Sequence, residues 1–268
     1  MPYAIVNGIK IYYEVHGEGF PLAMIMGLGA DSNWWPPRII EELSEDYKVV
    51  VFDNRGAGRS DKPDNKYTID LMADDVLGLL DYLGIRKAHV LGVSMGGMIA
   101  QSLAIRYPEI VEKLVLCVTS PGGPEAVPPT PEAMKQLLLD RSSVSVDVLA
   151  DMLIKTLLTT DYIEEHREEL KSYIMKALQY PMPAHAYMRQ LEAISEFNAY
   201  DKLDKIRAPT LVISGGKDII IPPENGRLLA RKIPNSKLIV FENSGHGLIL
   251  QELDKFVSVV KKFLQSDP

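Results

Sequence analysis

Ser94 stands at the centre of Gly92-Val93-Ser94-Met95-Gly96, a G-x-S-x-G spacing suited to a sharp turn from a strand into a helix. The stretch before it, Lys87 to Leu91, is short and partly apolar, and the stretch after it, Gly97 to Tyr107, has helical spacing. Such a turn forces its central residue into a strained backbone conformation, and glycines two positions to either side remove the side chains that would collide with the adjoining strand and helix. The hydroxyl is lifted above the sheet edge, and the Met95 amide, in the first turn of the helix, is directed at an incoming carbonyl oxygen. A serine is a poor nucleophile until a base takes its proton and a carboxylate orients that base. Of the five histidines, His16 falls in an N-terminal hairpin turn and His89 in the strand feeding Ser94. His166 lies on a charged helix face, Glu164 to Glu169, with no metal-ligand spacing, and His185 follows Pro181-Met-Pro183. Each of these four is better explained without catalysis. His246 differs: Asn243-Ser-Gly-His-Gly247 is a loop after a strand, able to hold an imidazole over the sheet edge. Asp218, in Gly215-Gly-Lys-Asp218, follows the strand 210–214 at the carboxyl end where parallel sheets receive ligands. A second backbone donor for a carbonyl oxygen is expected from Gly27-Leu28-Gly29, with Leu28 supplying the amide beside that of Met95.

These residues need a scaffold, and the hydropathy pattern supplies one. Residues 4–7 and 10–16 alternate around Gly8, as an antiparallel hairpin would. Leu22 to Met26 and Lys48 to Phe52 are continuous apolar runs, the pattern of parallel strands buried on both faces. Between them Pro36 to Leu43 can form a helix, and Thr68 to Leu83 carries apolar residues at helical spacing. Alternation continues to residue 118, then stops. Pro- and Gly-rich breaks at 120–124 and 127–131 precede helical segments at about 132–140, 145–158, 161–179 and 184–197 with no strand among them. After Pro209 the alternation resumes: strand 210–214, helix 224–232, strand 236–241 and a last helix from about 248 to 265. The expected organisation is an α/β core formed by 1–118 and 208–268, with a helical cap inserted at 119–207.

Composition narrows the role. With 268 residues, 46% of them hydrophobic, the chain can bury a large core. A formal charge of −7 with no basic tract argues against nucleic-acid binding. No basic-then-apolar leader and no run of membrane-spanning length is present, so the expectation is a soluble, cytoplasmic protein with no membrane span. The single cysteine, Cys117, lies in an apolar strand and reads as core filler. Neither a P-loop nor a dinucleotide fingerprint occurs, so no cofactor and no metal are expected. Nothing in the residues sets an oligomeric state.

Four segments carry a family resemblance: Gly27-Leu28-Gly29, Asp53-Asn-Arg-Gly-Ala-Gly-Arg-Ser-Asp61, Gly92-Val-Ser-Met-Gly-Gly97, and Gly215-Gly-Lys-Asp218 with Gly245-His246. Together, and with serine, aspartate and histidine in the order 94, 218, 246, the chain resembles the α/β-hydrolase superfamily over nearly its whole length. Within it the chain is similar to small bacterial and archaeal carboxylesterases, enol-lactonases and cofactor-free haloperoxidase-like hydrolases. The resemblance implies a mostly parallel eight-stranded sheet with helices on both faces. It also implies that Ser94 attacks an acyl carbon, His246 shuttles protons, Asp218 holds His246, and Leu28 and Met95 supply the oxyanion amides. One departure is visible: members commonly carry histidine before the first loop glycine, and here the residue is Met26. The segment 53–61 is expected to be a structural turn near the elbow.

The expected pocket lies between elbow and cap. Gly27, Trp34, Trp35, Met95 and Met98 are candidate walls, with a minority of the cap residues Met152, Leu153, Leu157, Leu158, Met175, Met182 and Met188. Methionines suit irregular apolar shapes, which favours a lipophilic acyl group of modest size. The expected activity is that of a serine carboxylesterase on a small-molecule ester of short to medium acyl length. A lactonase or thioesterase would use the same triad, and a ligand receptor on the same fold is the reading from another class.

Overall fold

The computed structural model describes residues 2–266. Strands β1 (Tyr3–Val6) and β2 (Ile9–His16) form an antiparallel hairpin. Its two-residue turn, Asn7 and Gly8, has positive φ at both positions (48° and 77°), the geometry that matches the right-handed twist of the flanking strands. The rest of the sheet comprises β3 (Phe20–Ile25), β4 (Tyr47–Phe52), β5 (Ala88–Val93), β6 (Val111–Cys117), β7 (Thr210–Gly215) and β8 (Ser236–Phe241). The order is β1-β2-β4-β3-β5-β6-β7-β8; β2 pairs antiparallel with β4, and every later neighbour pairs parallel. The eight-stranded, mostly parallel sheet is therefore the one expected from the sequence.

Side chains alternate across this sheet and divide the core in two. Ala23, Ile25, Val50 and Phe52 face one layer, where α2 (Ile69–Tyr82), α3 (Met95–Arg106) and α8 (Glu224–Lys232) pack. Leu22, Met24, Val49 and Val51 face the other, beneath α1 (Pro37–Ser44) and α10 (Leu253–Gln265). Burial on both faces is why these strands read as unbroken apolar runs. The segment after β4 is a turn held by charge: Asp53 accepts hydrogen bonds from the Ser32 amide (2.8 Å), the Ser32 hydroxyl (2.7 Å) and the Arg59 amide (2.7 Å). Arg55 pairs with Asp75 of α2 through Nε and Nη2 at 2.7 and 2.8 Å, both side chains almost fully buried.

Between β6 and β7 the chain forms α4 (Pro131–Leu137), α5 (Val146–Leu157), α6 (Thr160–Ala177) and α7 (Ala184–Glu196). Thr130 and Ser145 cap α4 and α5 by accepting hydrogen bonds from the Ala133 and Val148 amides. Ala150, Ile154, Leu158, Ile163, Leu170 and Ile174 form a small core within these helices. This helical segment leaves and rejoins the sheet through paired stretches: Gly122 bridges Asn198, the Gly123 amide donates to Phe197 O (3.0 Å), and the Ala199 amide donates to Pro121 O (2.8 Å). At Gly122 (φ 66°) a Cβ would run into the Phe197 carbonyl, which is why the glycine-rich break stands there.

Two helices differ from the sequence expectation. α6 bends at His166 (φ −125°, ψ 16°), whose ring lies 4.4 Å from that of Tyr162. The final helix is two, α9 (Leu248–Gln251) and α10, parted at Glu252 (φ −129°, ψ 41°). The apolar spacing 249, 253, 256, 257, 260, 264 runs straight through the break, so periodicity alone cannot reveal it.

His89 on β5 is buried between the rings of Phe20 and Tyr47 (centroids 4.7 and 5.7 Å), and its Nδ1 has no partner among the described residues. Burial, reinforced by Lys113, pushes the imidazole down from 6.5 to about 4. Between those values the unfolded chain takes up a proton that the folded chain refuses, so this residue removes stability as the pH falls, by at most about 3 kcal/mol. The melting temperature of His89→Phe should therefore decline less between pH 6.5 and 4.5 than that of the native protein. Thermal denaturation across that range checks it, and parallel curves would be the contrary result.

Candidate active site

Ser94 occupies the junction of β5 and α3 at φ 57°, ψ −122°, a conformation that costs a non-glycine residue about 1–3 kcal/mol. Neighbouring backbone holds it there: its amide donates to Cys117 O (2.9 Å), and its carbonyl accepts from the Gly97 amide (2.8 Å) and Thr119 Oγ1 (2.7 Å). The glycines are required by space. A Cβ at Gly92 would strike the Gly96 carbonyl, and one at Gly96 would strike the Ile25 carbonyl. At Gly27 a Cβ would lie 3.0 Å from Ser94 Cβ and 3.5 Å from its Oγ, so that loop approaches the hydroxyl as backbone alone. Val118, beside this turn at the end of β6, also has a positive φ (42°), a second strained position at the same sheet edge.

Asp218 lies on the turn after β7, buried. One carboxylate oxygen accepts from the Ile220 and Ile221 amides (2.8 Å each), and the other contacts His246 Nδ1 at 2.7 Å. Because a carboxylate only accepts, it places the ring proton on Nδ1 and leaves Nε2 as the lone-pair nitrogen. The loop bearing His246 is tied on both sides: the Gly245 amide donates to Gln251 Oε1 (2.8 Å) and the Gly247 amide to Leu157 O at the end of α5 (2.7 Å). Gly215 fits under Ser244 and Gly245, where any side chain would meet their carbonyls. Ser94 and His246 line one cavity of about 350 Å³ with largely apolar walls, a size suited to a small organic ligand.

Gly27, Leu28 and Met95 line the same cavity. Neither the Leu28 nor the Met95 amide enters a hydrogen bond among the described residues, whereas the Gly29 amide donates to Gln190 Oε1 (2.9 Å). Gln190, on α7 and fully buried, also donates through Nε2 to Arg55 O (2.7 Å), and Asn54 Nδ2 donates to Met26 O (2.8 Å). The loop is thus braced by two amide side chains, with methionine in place of the family's usual histidine. Nothing local distinguishes Gln190 in an amphipathic helix, and sequence reasoning missed it; Asn54 sat unremarked inside the 53–61 segment.

The cavity wall corrects the expected lining. Trp34, Met98, Met152, Leu153 and Leu157 reach it, but Trp35 does not. Trp35 follows the short 3-10 turn Ser32–Trp34 in extended backbone, and its indole is buried with Ile39 and Leu43 on the α1 side of the sheet. Leu158, Met175, Met182 and Met188 also lie away from the cavity wall. His185 is exposed, with Nε2 3.0 Å from Lys62 O, and His16 contacts Glu14. Cys117 is buried, and desolvation raises its thiol pKa, so it is no nucleophile at neutral pH. Arg141, just beyond α4, was not anticipated; it lines the cavity beside Gly29. Among the described residues no helix is long and apolar enough to cross a membrane, and no His, Cys, Asp and Glu cluster is arranged to hold a metal.

A strained serine that shares one cavity with a free imidazole nitrogen and two unused amides is an arrangement capable of acyl transfer. Known proteins share this scaffold. The chain is 30% identical over 257 residues to "Putative carbamate hydrolase RutD" of Stutzerimonas stutzeri, covering 93% of this chain and 95% of that protein. Its structure is similar to that of an enol-lactonase from Burkholderia xenovorans, with TM-score 0.86 and 31% identity over 99% of this chain and 100% of the other. A thermophilic esterase from Thermogutta terrifontis gives TM-score 0.83 and 28% identity over 99% and 97% of the two chains. The model of the alpha/beta hydrolase fold family matches residues 21–253. Sequence, sheet order and site placement agree, and the chain belongs to the alpha/beta hydrolase fold family.

Proposed function

We propose that this hydrolase cleaves carboxylic esters of small, largely apolar molecules through an acyl-enzyme on Ser94. His246 Nε2 takes the serine proton during attack and returns it to the leaving alcohol; Asp218 holds the imidazole and stabilises it when charged. The Leu28 and Met95 amides receive the negative charge on the carbonyl oxygen. Water then attacks the acyl carbon, again with His246 as base, and the acid leaves. The inserted helices, residues 119–207, act as a cap whose α5 and α7 close the cavity over the reacting atoms. The observation that carries this reading is the 2.7 Å Asp218–His246 contact opening onto the same cavity as a serine held at φ 57°. A partner other than the small-molecule substrate is not needed for this chemistry.

The similarity to an enol-lactonase supports a second reading, in which the ester is internal to a ring. The carbamate hydrolase name among the relatives adds a third bond type with the same carbonyl geometry. A panel of p-nitrophenyl esters from acetate to long acyl chains, run beside lactones and carbamates, separates them. Highest kcat/KM on the simple esters supports the first reading, and a lactone or carbamate far ahead would replace it.

Ser94→Ala should lower turnover by about 10⁴-fold or more while leaving the melting temperature unchanged or higher, since alanine keeps the turn but loses the nucleophile. Asp218→Asn should cost about 10³-fold or more by disturbing the imidazole tautomer; a rate within a few-fold of native would remove Asp218 from its role. Gln190→Leu frees the Gly29 amide and the loop that carries Leu28. It should lower kcat about 10- to 100-fold with little change in KM, because the loop acts mainly on transition-state charge. Steady-state kinetics on the best substrate of the panel measures all three.

A further inference from the structure

The cavity is apolar nearly throughout, yet Arg141 lines it. Its guanidinium lies over the Tyr187 ring at 4.0 Å from the centroid, and Nη2 donates to Tyr187 Oη at 3.1 Å. Tyr187 is fixed in turn by its hydroxyl, which donates to Leu137 O at 2.9 Å. Nη1 comes within 3.1 Å of the point where a Cβ on Gly29 would stand, so the cation abuts the loop whose first glycine packs against Ser94. The ion pairs of the described residues do not include Arg141. Of its five N–H donors, one has a partner among the described hydrogen bonds.

A cation enclosed by apolar walls is unfavourable without a counterion. Burial accordingly lowers the Arg141 pKa, and the tyrosine contacts only partly oppose this. Gln136, on α4, lines the same cavity, and its Oε1 is buried with no hydrogen-bond partner among the described residues. The other amide atom, Nε2, enters no hydrogen bond among the described residues, so Gln136 has a free donor to offer. A charged group and an unsatisfied amide thus line the largely apolar chamber that also holds the reacting serine. Neither takes part in the acyl transfer derived above.

We propose that Arg141, which lines the same cavity as Gln136, binds a carboxylate carried by the substrate at a distance from the bond that is cleaved. The preferred substrates are then anionic: half-esters of dicarboxylic acids, esters of hydroxy acids, or lactones bearing a free carboxylate. A planar guanidinium offers such a group two parallel hydrogen bonds, and the surrounding apolar wall strengthens them. This inference names the substrate class of the ester-hydrolase reading and rests on it for the position of the reacting bond. The anion site itself is defined by Arg141.

Two probes place the charge on either side of the ester. Mono-p-nitrophenyl glutarate carries it on the acyl group and 4-acetoxybutyrate on the alcohol, and each is compared with its neutral methyl ester counterpart. The native protein should favour the anionic member of at least one pair by tenfold or more in kcat/KM. In Arg141→Met that anionic-to-neutral ratio should fall at least tenfold, and in Arg141→Lys it should be partly retained, since a point charge replaces a fork. A ratio near one in the native protein, or one unmoved by Arg141→Met in a variant that still melts cooperatively, overturns the proposal. Binding is read separately by calorimetric titration of free glutarate into Ser94→Ala and into Ser94→Ala with Arg141→Met, the second expected to bind at least tenfold more weakly. Arg141-dependent glutarate binding without turnover of any ester would retain the anion site and discard the ester reading. Ester turnover with no such binding and no charge preference would do the reverse.

Discussion

A serine in the left-handed half of backbone space persists only where its surroundings leave it no better conformation, and most of what positions this site follows from that demand. Gly92 and Gly96 clear the paths of two carbonyls, Gly27 lets a loop pass against the hydroxyl, and Gly97 admits Thr119, whose own hydroxyl ties down the Ser94 carbonyl. The hydrogen bond from the Ser94 amide to β6 binds the turn to the neighbouring strand, and that strand ends at another strained residue, Val118. The sheet supplies the rigidity. With both faces covered by helices, neither strand end can relax without opening a packed core. Folding free energy thus maintains a geometry that substrate does not have to induce.

Much of this was legible from residue types because the elements involved are local. A continuous apolar run reports a strand buried on both faces, and a polar loop after it reports the carboxyl edge, so Asp218 and His246 could be placed without coordinates. The parts that were hidden depend on contacts distant in sequence. Gln190 is one polar residue among many on an amphipathic helix until its amide is seen to reach Gly29 and Arg55, each more than a hundred residues away. Trp34 and Trp35 are adjacent and chemically identical, yet one lines the cavity and the other is core. The direction of each indole is set by a three-residue turn, which no periodicity records. The break at Glu252 was hidden for the opposite reason: its flanking apolar pattern is the one an unbroken helix would have.

The chamber combines two kinds of surface. Leucines and Met152 from the helices between β6 and β7 give it shape without direction, whereas polar groups at the loop, the elbow and Arg141 give it direction at a few points. Apolar walls also raise the weight of every charge inside them, since little water remains to screen it. One guanidinium in such a chamber therefore bears on selectivity more than several surface lysines could.

Gln190 has a consequence of another kind. Its two hydrogen bonds fasten α7 to the loop at Gly29 and to the core at Arg55, so the position of α7 and the conformation of that loop are set by one side chain. Thermodynamic linkage then works in both directions. A ligand that favoured the braced form of Gly27 to Gly29 would favour the docked form of α7 by the same free energy. Any displacement of α7 from the core would therefore break both bonds and release the Gly29 amide at the same time.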